Sequence, residues 1–98
     1  MTGLKSYQRN LTGIKKMHEQ YQLAQRALAD LKAATLTVLI EAPETGMSNA
    51  DLGRTLGIYA GHKRHEGHIS RTLLAMLEAE GVIEQDAQSK LWKVIKRT

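Results

Sequence analysis

Cysteine is absent from this sequence, which removes disulfides and thiolate metal ligands and leaves the redox compartment open. Long apolar runs are absent as well. The longest, Leu36 to Ile40, is interrupted by Thr37 and falls far short of the roughly 20 residues that a membrane-spanning helix needs. The opening Met1-Thr2-Gly3-Leu4-Lys5-Ser6 lacks the apolar centre of a secretory signal, so a cytoplasmic protein is the expectation. Proline occurs once, at Pro43, and marks a helix stop. No internal repeat or low-complexity tract is present. What remains is 98 residues, of which 42% are apolar and 24% charged. That is room for one small globular domain with an appended helix, and it is not the composition of a disordered chain.

The net charge is +4 and the isoelectric point about 9.6, a balance that suits an anionic partner without identifying one. Its distribution is uneven. Residues 1–33 carry six basic and two acidic side chains, residues 34–81 four and six, and residues 82–98 four and two. Positive charge therefore gathers at the two ends, with a local basic cluster at Lys63 and Arg64.

The first 32 residues read as a helical extension. Leu4, Tyr7, Leu11, Ile14, Tyr21, Leu28 and Leu31 recur at threes, fours and sevens, with cations and glutamines between them. Gly13 costs such a helix about 1 kcal/mol relative to alanine, which predicts a kink or two shorter helices. Leu4/Leu11 and Tyr7/Ile14/Tyr21/Leu28 fit a heptad seam whose other core positions hold His18 and Gln25, an imperfect coiled coil. Two uses fit this pattern: packing against the chain's own domain, or a homodimer through residues 4–31.

Residues 33–98 read as the domain itself. Ala33 to Ala42 is apolar on most sides, as a core helix is, and Pro43 ends it. Ser48-Asn49-Ala50-Asp51 is a capping box with Asp in the acidic position, opening a helix of about two turns that Gly57 closes. Ile58 to Gly67 reads as a loop, with two glycines and several polar rings and cations. A further helix carries Ile69, Leu73, Leu74, Met76 and Leu77 and ends at Gly81. Val82-Ile83 and Leu91-Trp92-Lys93-Val94-Ile95 are strand-like runs around a polar stretch, a hairpin with a mobile tip.

The stretch from Ile69 to Ile83, ISRTLLAMLEAEGVI, resembles the recognition helix and first wing strand of bacterial winged-helix regulators of the MarR and ArsR type. Met47 to Ile58, MSNADLGRTLGI, is similar to their first turn and second helix. The resemblance covers about 50 residues and does not single out one family. It implies a mainly α fold with a small β-hairpin wing (α+β), a winged helix-turn-helix behind an N-terminal helical extension. The segment Tyr59 to Gly67 is longer than the family turn. The helix after it is one residue longer than the common spacing, which leaves open whether Ile69 or Ser70 faces the core.

Such a fold implies sequence-specific binding of double-stranded DNA and transcription regulation, with a recognition helix of about residues 65–80 in the major groove. The wing, residues 82–95, would then lie on the backbone or in the minor groove. The candidate contacts are Lys63, Arg64, His65, His68, Ser70, Arg71 and Thr72 before and along the helix, and Gln88, Ser89 and Lys90 at the wing tip. Arg71 suits a guanine or a phosphate, whereas Lys63 and Arg64 suit phosphates. His62, His65 and His68 recur every three residues, a metal-like spacing on a continuous helix. Gly61 and Gly67 break that helix and no further His or Cys cluster completes a shell, so no metal or other cofactor is expected. Three histidines at a DNA face would instead make affinity depend on pH. No nucleophile motif, phosphate loop or carboxylate pair appears, so no enzyme is expected. Two alternatives keep the fold: a protein-interaction or adaptor module, and a stand-alone relative of the DNA-binding module of restriction-type enzymes.

Overall fold

A computed structural model describes residues 2–60 and 66–96, with side chains from residue 12 onward. The chain is mainly helical with a small two-stranded antiparallel hairpin, in the order α1 (Thr2–Glu41), α2 (Asn49–Thr55), α3 (His68–Ala79), β1 (Ile83–Gln85) and β2 (Trp92–Val94). It divides into two compact units, Met1–Asp30 and Leu31–Thr98. Among the described residues no helix is long and apolar enough to cross a membrane.

The first unit is the N-terminal part of α1. The expected kink at Gly13 is not there: helix runs unbroken through it, and a Cβ built at this glycine meets nothing within 4 Å. The cost of one glycine is small against the many residues of good helix former around it. The separate helix expected from Ala33 is likewise the last part of α1, since nothing between Ala29 and Ala34 breaks the backbone pattern.

The second unit begins with the end of α1, which buries Thr35 and Leu39. Two threonines in this apolar stretch are tolerated because their hydroxyls bond back one turn. Thr35 Oγ1 donates to the Leu31 carbonyl at 2.8 Å and Thr37 Oγ1 to that of Ala33 at 2.9 Å. The helix stops at Glu41, and Pro43 accepts from Gly46 N–H in the turn that follows, at 2.8 Å. Ser48 then caps α2 as its spacing predicts: extended at φ −75° and ψ 158°, its Oγ accepts from Asp51 N–H at 3.0 Å.

Both later helices end on the same device. After α2, Gly57 N–H donates to the Arg54 carbonyl and Ile58 N–H to that of Gly53; after α3, Gly81 and Val82 do the same to Glu78 and Leu77. This pair of bonds is the Schellman motif, which satisfies carbonyls that a helix end would otherwise leave open.

The hairpin pairs Ile83 with Val94, Glu84 with Lys93 and Gln85 with Trp92. A third segment joins it at a single residue. Met47 and Trp92 exchange both backbone hydrogen bonds, each 2.8 Å, so the entry to α2 is tied to the second strand. Leu39, Leu52, Leu74, Leu77, Ile83 and Trp92 form the core, with Leu36, Val38, Met47, Leu56, Val82 and Val94 packed around it. Every element of the second unit thus contributes to one apolar centre, which fixes α3 and the hairpin relative to each other.

Candidate nucleic-acid interface

The register of α3 decides which of its side chains can meet a partner. Ser70, Leu73, Leu74 and Leu77 are buried, one stripe at spacings of three and four. Ser70 is fully buried and Ile69 is 46% exposed, so Ser70 faces the core. This corrects its placement among the contact residues. Its hydroxyl donates to the Gly67 carbonyl at 3.1 Å and packs toward Gly53 of α2, where a Cβ would come within 3.0 Å of it. A small polar side chain is needed at this point because α2 and α3 approach so closely there.

The helix also begins later than the expected position near residue 65. Its first residue is His68, after Gly67 in the left-handed conformation at φ +83°. Gly67 is the joint of the site. A side chain would be strained at that angle, and its Cβ would sit 2.6 Å from Asn49 Nδ2 and 2.8 Å from Tyr59 Cε1. The Gly67 carbonyl also accepts from Asn49 Nδ2 at 3.4 Å, and its N–H donates to the Ala60 carbonyl at 3.1 Å. Thus Ala60 and Gly67 meet. The candidates Lys63, Arg64 and His65, with His62, lie between them in sequence and outside the described residues.

What α3 offers outward is His68, Ile69, Arg71, Thr72, Ala75 and Ala79, all exposed. Thr72 Oγ1 donates to the His68 carbonyl at 2.8 Å, which uses its hydroxyl hydrogen within the helix. Charge along the helix is polarised. Arg71 stands near the start, while Glu78 and Glu80 stand at the end, with Glu84 beyond them on β1. Lys32 pairs with Glu80 and offsets part of that negative end. Glu66, exposed just before the helix, offsets part of the Arg71 charge, so the N-terminal turns of α3 suit an anion by helix dipole together with Arg71, against the wholly acidic far end.

Sequence reasoning overlooked a second cation. Arg54 of α2 is exposed and lies over the Tyr59 ring, 4.7 Å from its centroid. The Schellman turn at Gly57 folds Tyr59 back against α2, so two residues five apart in sequence become neighbours. The motif itself was legible; the stacking it produces was not. Asp51 lies 3.9 Å from the same guanidinium, a loose exposed pair of little energetic weight.

Gln88, Ser89 and Lys90 sit exposed at the β1–β2 connection. The expected mobile tip is instead an internally bonded turn. Asp86 Oδ1 accepts from the backbone N–H of Gln88 and Ser89 at 2.9 and 2.7 Å. Ser89 Oγ accepts from Leu91 N–H at 3.2 Å, and Gln85 Nε2 donates to the Lys90 carbonyl at 3.0 Å. The Ser89 and Gln88 N–H groups hold the Asp86 carboxyl below the usual carboxylate range. Lys90 adopts a positive φ of 65°, and its exposed ammonium is a cation presented by an ordered turn. Lys96 Nζ donates to Glu44 Oε1 at 2.7 Å, and that bond together with the ammonium charge lowers the Glu44 carboxyl from its ordinary value.

Among the described residues, no three His, Asp or Glu side chains gather closely enough to hold a metal ion. No protein-family model matches the chain, and comparisons with curated proteins and with solved structures give no significant match.

Proposed function

We propose that the second unit is a winged helix-turn-helix module that binds double-stranded DNA, with α3 as the recognition helix and the β1–β2 hairpin as the wing. We also propose that its role is sequence-specific, as in a cytoplasmic regulator of transcription of the MarR and ArsR type, without catalysis. The observation that carries this reading is the exposed, cation-bearing start of α3, held against α2 by Ser70, Gly53 and Tyr59 and followed directly by a hairpin. A helix presented in this way fits a major groove, where its first turns meet base edges.

The roles then divide by chemistry. Arg71 is the residue able to form a bidentate pair with a guanine or to grip a phosphate. Thr72, Ala75 and Ile69 offer methyl surface to thymine. Arg54 and Lys90, on rigid supports away from the centre of α3, suit phosphates, which position the protein without reading sequence.

Selection from a random duplex library at physiological salt, followed by a salt titration, tests this. The expected result is an enriched site, with affinity falling by about 0.9 log units per log unit of salt for each phosphate neutralised. Arg71→Ala is expected to weaken the selected site by about 1–3 kcal/mol and random DNA less, if it reads a base. An equal loss on both would make it a positioning residue. No enriched site together with salt-insensitive binding would overturn the DNA reading in favour of a protein-contact module.

A further inference from the structure

The first unit is a helix with no second element of its own. Ile14, Met17 and Tyr21 are 61%, 72% and 62% exposed on it. On a seven-residue wheel with Ile14, Tyr21 and Leu28 at position d, positions a hold His18 and Gln25, and g holds Met17 and Ala24. The sequence carries the same pattern back to Leu4, Tyr7 and Leu11. The charged residues avoid this side. Lys5, Arg9, Lys16, Glu19, Arg26 and Asp30 all fall at b or f, and Lys15 alone stands at e. Leu23, 56% exposed, falls at f, and one leucine off the seam is ordinary. His18 and Tyr21 occupy one face in fact as well as by count: their rings stack with centroids 6.4 Å apart and planes 10° from parallel.

We propose that a second copy of this chain covers that face, forming a parallel, in-register, two-stranded coiled coil over residues 4–28. The charge pattern selects a copy of the same helix. A like partner brings no like-charge pair across the seam, because Lys15 at e has Asn10 at the facing g position of the partner and every other charge falls at b or f. Position d stays apolar for the whole length, at Tyr7, Ile14, Tyr21 and Leu28, while a is apolar at Leu4 and Leu11 and polar at His18 and Gln25, a seam of three and a half heptads interrupted by two polar layers. Tyrosines bury about 150–250 Å² each at most. Four of them, joined by the leucines, isoleucine and methionine of two seams, bring the interface to roughly the 1,200 Å² at which stable contacts begin.

The polar positions select the orientation. In a parallel pair, His18 meets His18 and Gln25 meets Gln25, and polar layers of this kind fix register at some cost in stability. In the antiparallel pair centred on residue 16, His18 would face Ile14 and Gln25 would face Tyr7, leaving polar groups opposite apolar or mismatched ones. The proposal is independent of what the second unit binds.

Because the chain has no cysteine, single-cysteine variants give a direct test on the full-length protein. Sedimentation of the unmodified chain at about 50 μM is expected to give a dimer. Gln25→Cys, at a in the seam, is expected to form a disulfide-linked dimer under mild oxidation at least tenfold faster than Arg26→Cys, at the outer position b, since like positions in the seam reach the Cα separation of about 4.4–6.8 Å that a disulfide needs and those at b do not. Ile14→Asp is expected to give a folded monomer, with circular dichroism reporting that the second unit is intact. A monomer at 50 μM would overturn the proposal. A dimer in which Gln25→Cys and Arg26→Cys cross-link at equal rates would overturn the parallel register.

Discussion

Gly53 and Tyr59 show how single residues set the geometry of α3. A Cβ at Gly53 would lie 2.9 Å from Tyr59 Cβ and 3.0 Å from Ser70 Oγ. Two effects oppose each other in Gly53→Ala. Alanine improves helix propensity by about 1 kcal/mol, whereas forcing a methyl into a filled space costs about 1–3 kcal/mol. Whether Tyr59 can yield decides the sign. It is also bounded by Gly67, whose own Cβ would lie 2.8 Å from the ring, and Arg54 covers it from another side. The clash therefore wins, and net destabilisation of about 1 kcal/mol is expected. Thermal denaturation should show a fall of about 4–8 °C for a domain of this size. A raised melting temperature would mean that Tyr59 moves aside freely and does not hold α3 in place. The same crowding explains why Ser70 is spent on the core and cannot serve as a contact.

At the scale of elements, the hairpin offers the clearest dependence on conditions. The Ser89 and Gln88 N–H groups lower the Asp86 carboxyl from its ordinary value. A carboxyl whose folded value is depressed stabilises the fold above its unfolded value of about 3.9, and that contribution is lost as pH falls through the lower folded value. Asp86→Asn should thus be less stable than the parent near pH 7. The gap should close as pH falls from above the unfolded value through the lower folded one, as read from urea midpoints. A gap that stays constant through this window would show that the carboxylate charge is not what holds the turn. The elements themselves were largely legible: Pro43, the Ser48 cap, Gly57, Gly81 and the β-rich runs mark their ends by local chemistry, and local chemistry is what a sequence carries. Three features were hidden because they depend on contacts distant in sequence or on summed small terms. One is the bridge of Met47 to Trp92, a single residue with no strand pattern around it. Another is the burial of Ser70, which turns on where Gly67 starts the helix. The third is the unbroken α1, where many favourable residues outweigh Gly13. Of the candidate contacts, His68, Arg71, Thr72, Gln88, Ser89 and Lys90 are at the surface, Ser70 is not, and Arg54 was missed because stacking across a Schellman turn has no sequence pattern of its own.

For the whole molecule, the two proposals make a joint prediction that neither makes alone. A dimer carries two copies of the second unit, so two DNA-binding units would be available to one duplex. Two-fold proteins of this kind read inverted half-sites one helical turn apart or a multiple of it. Joining two weak sites raises affinity by about 10²–10⁴ without any new contact, provided both engage together. Disrupting the seam with Ile14→Asp should then leave binding to an isolated half-site unchanged and weaken binding to the inverted repeat by about a hundredfold or more. The salt slope on the repeat should also fall to that of the half-site, because only one unit's phosphates are neutralised at a time. Fluorescence anisotropy on the two duplexes separates the cases. Equal weakening on both would mean that Ile14 supports the second unit's fold and not its pairing. No weakening on either would mean that each unit binds DNA alone and that the coil serves some other end.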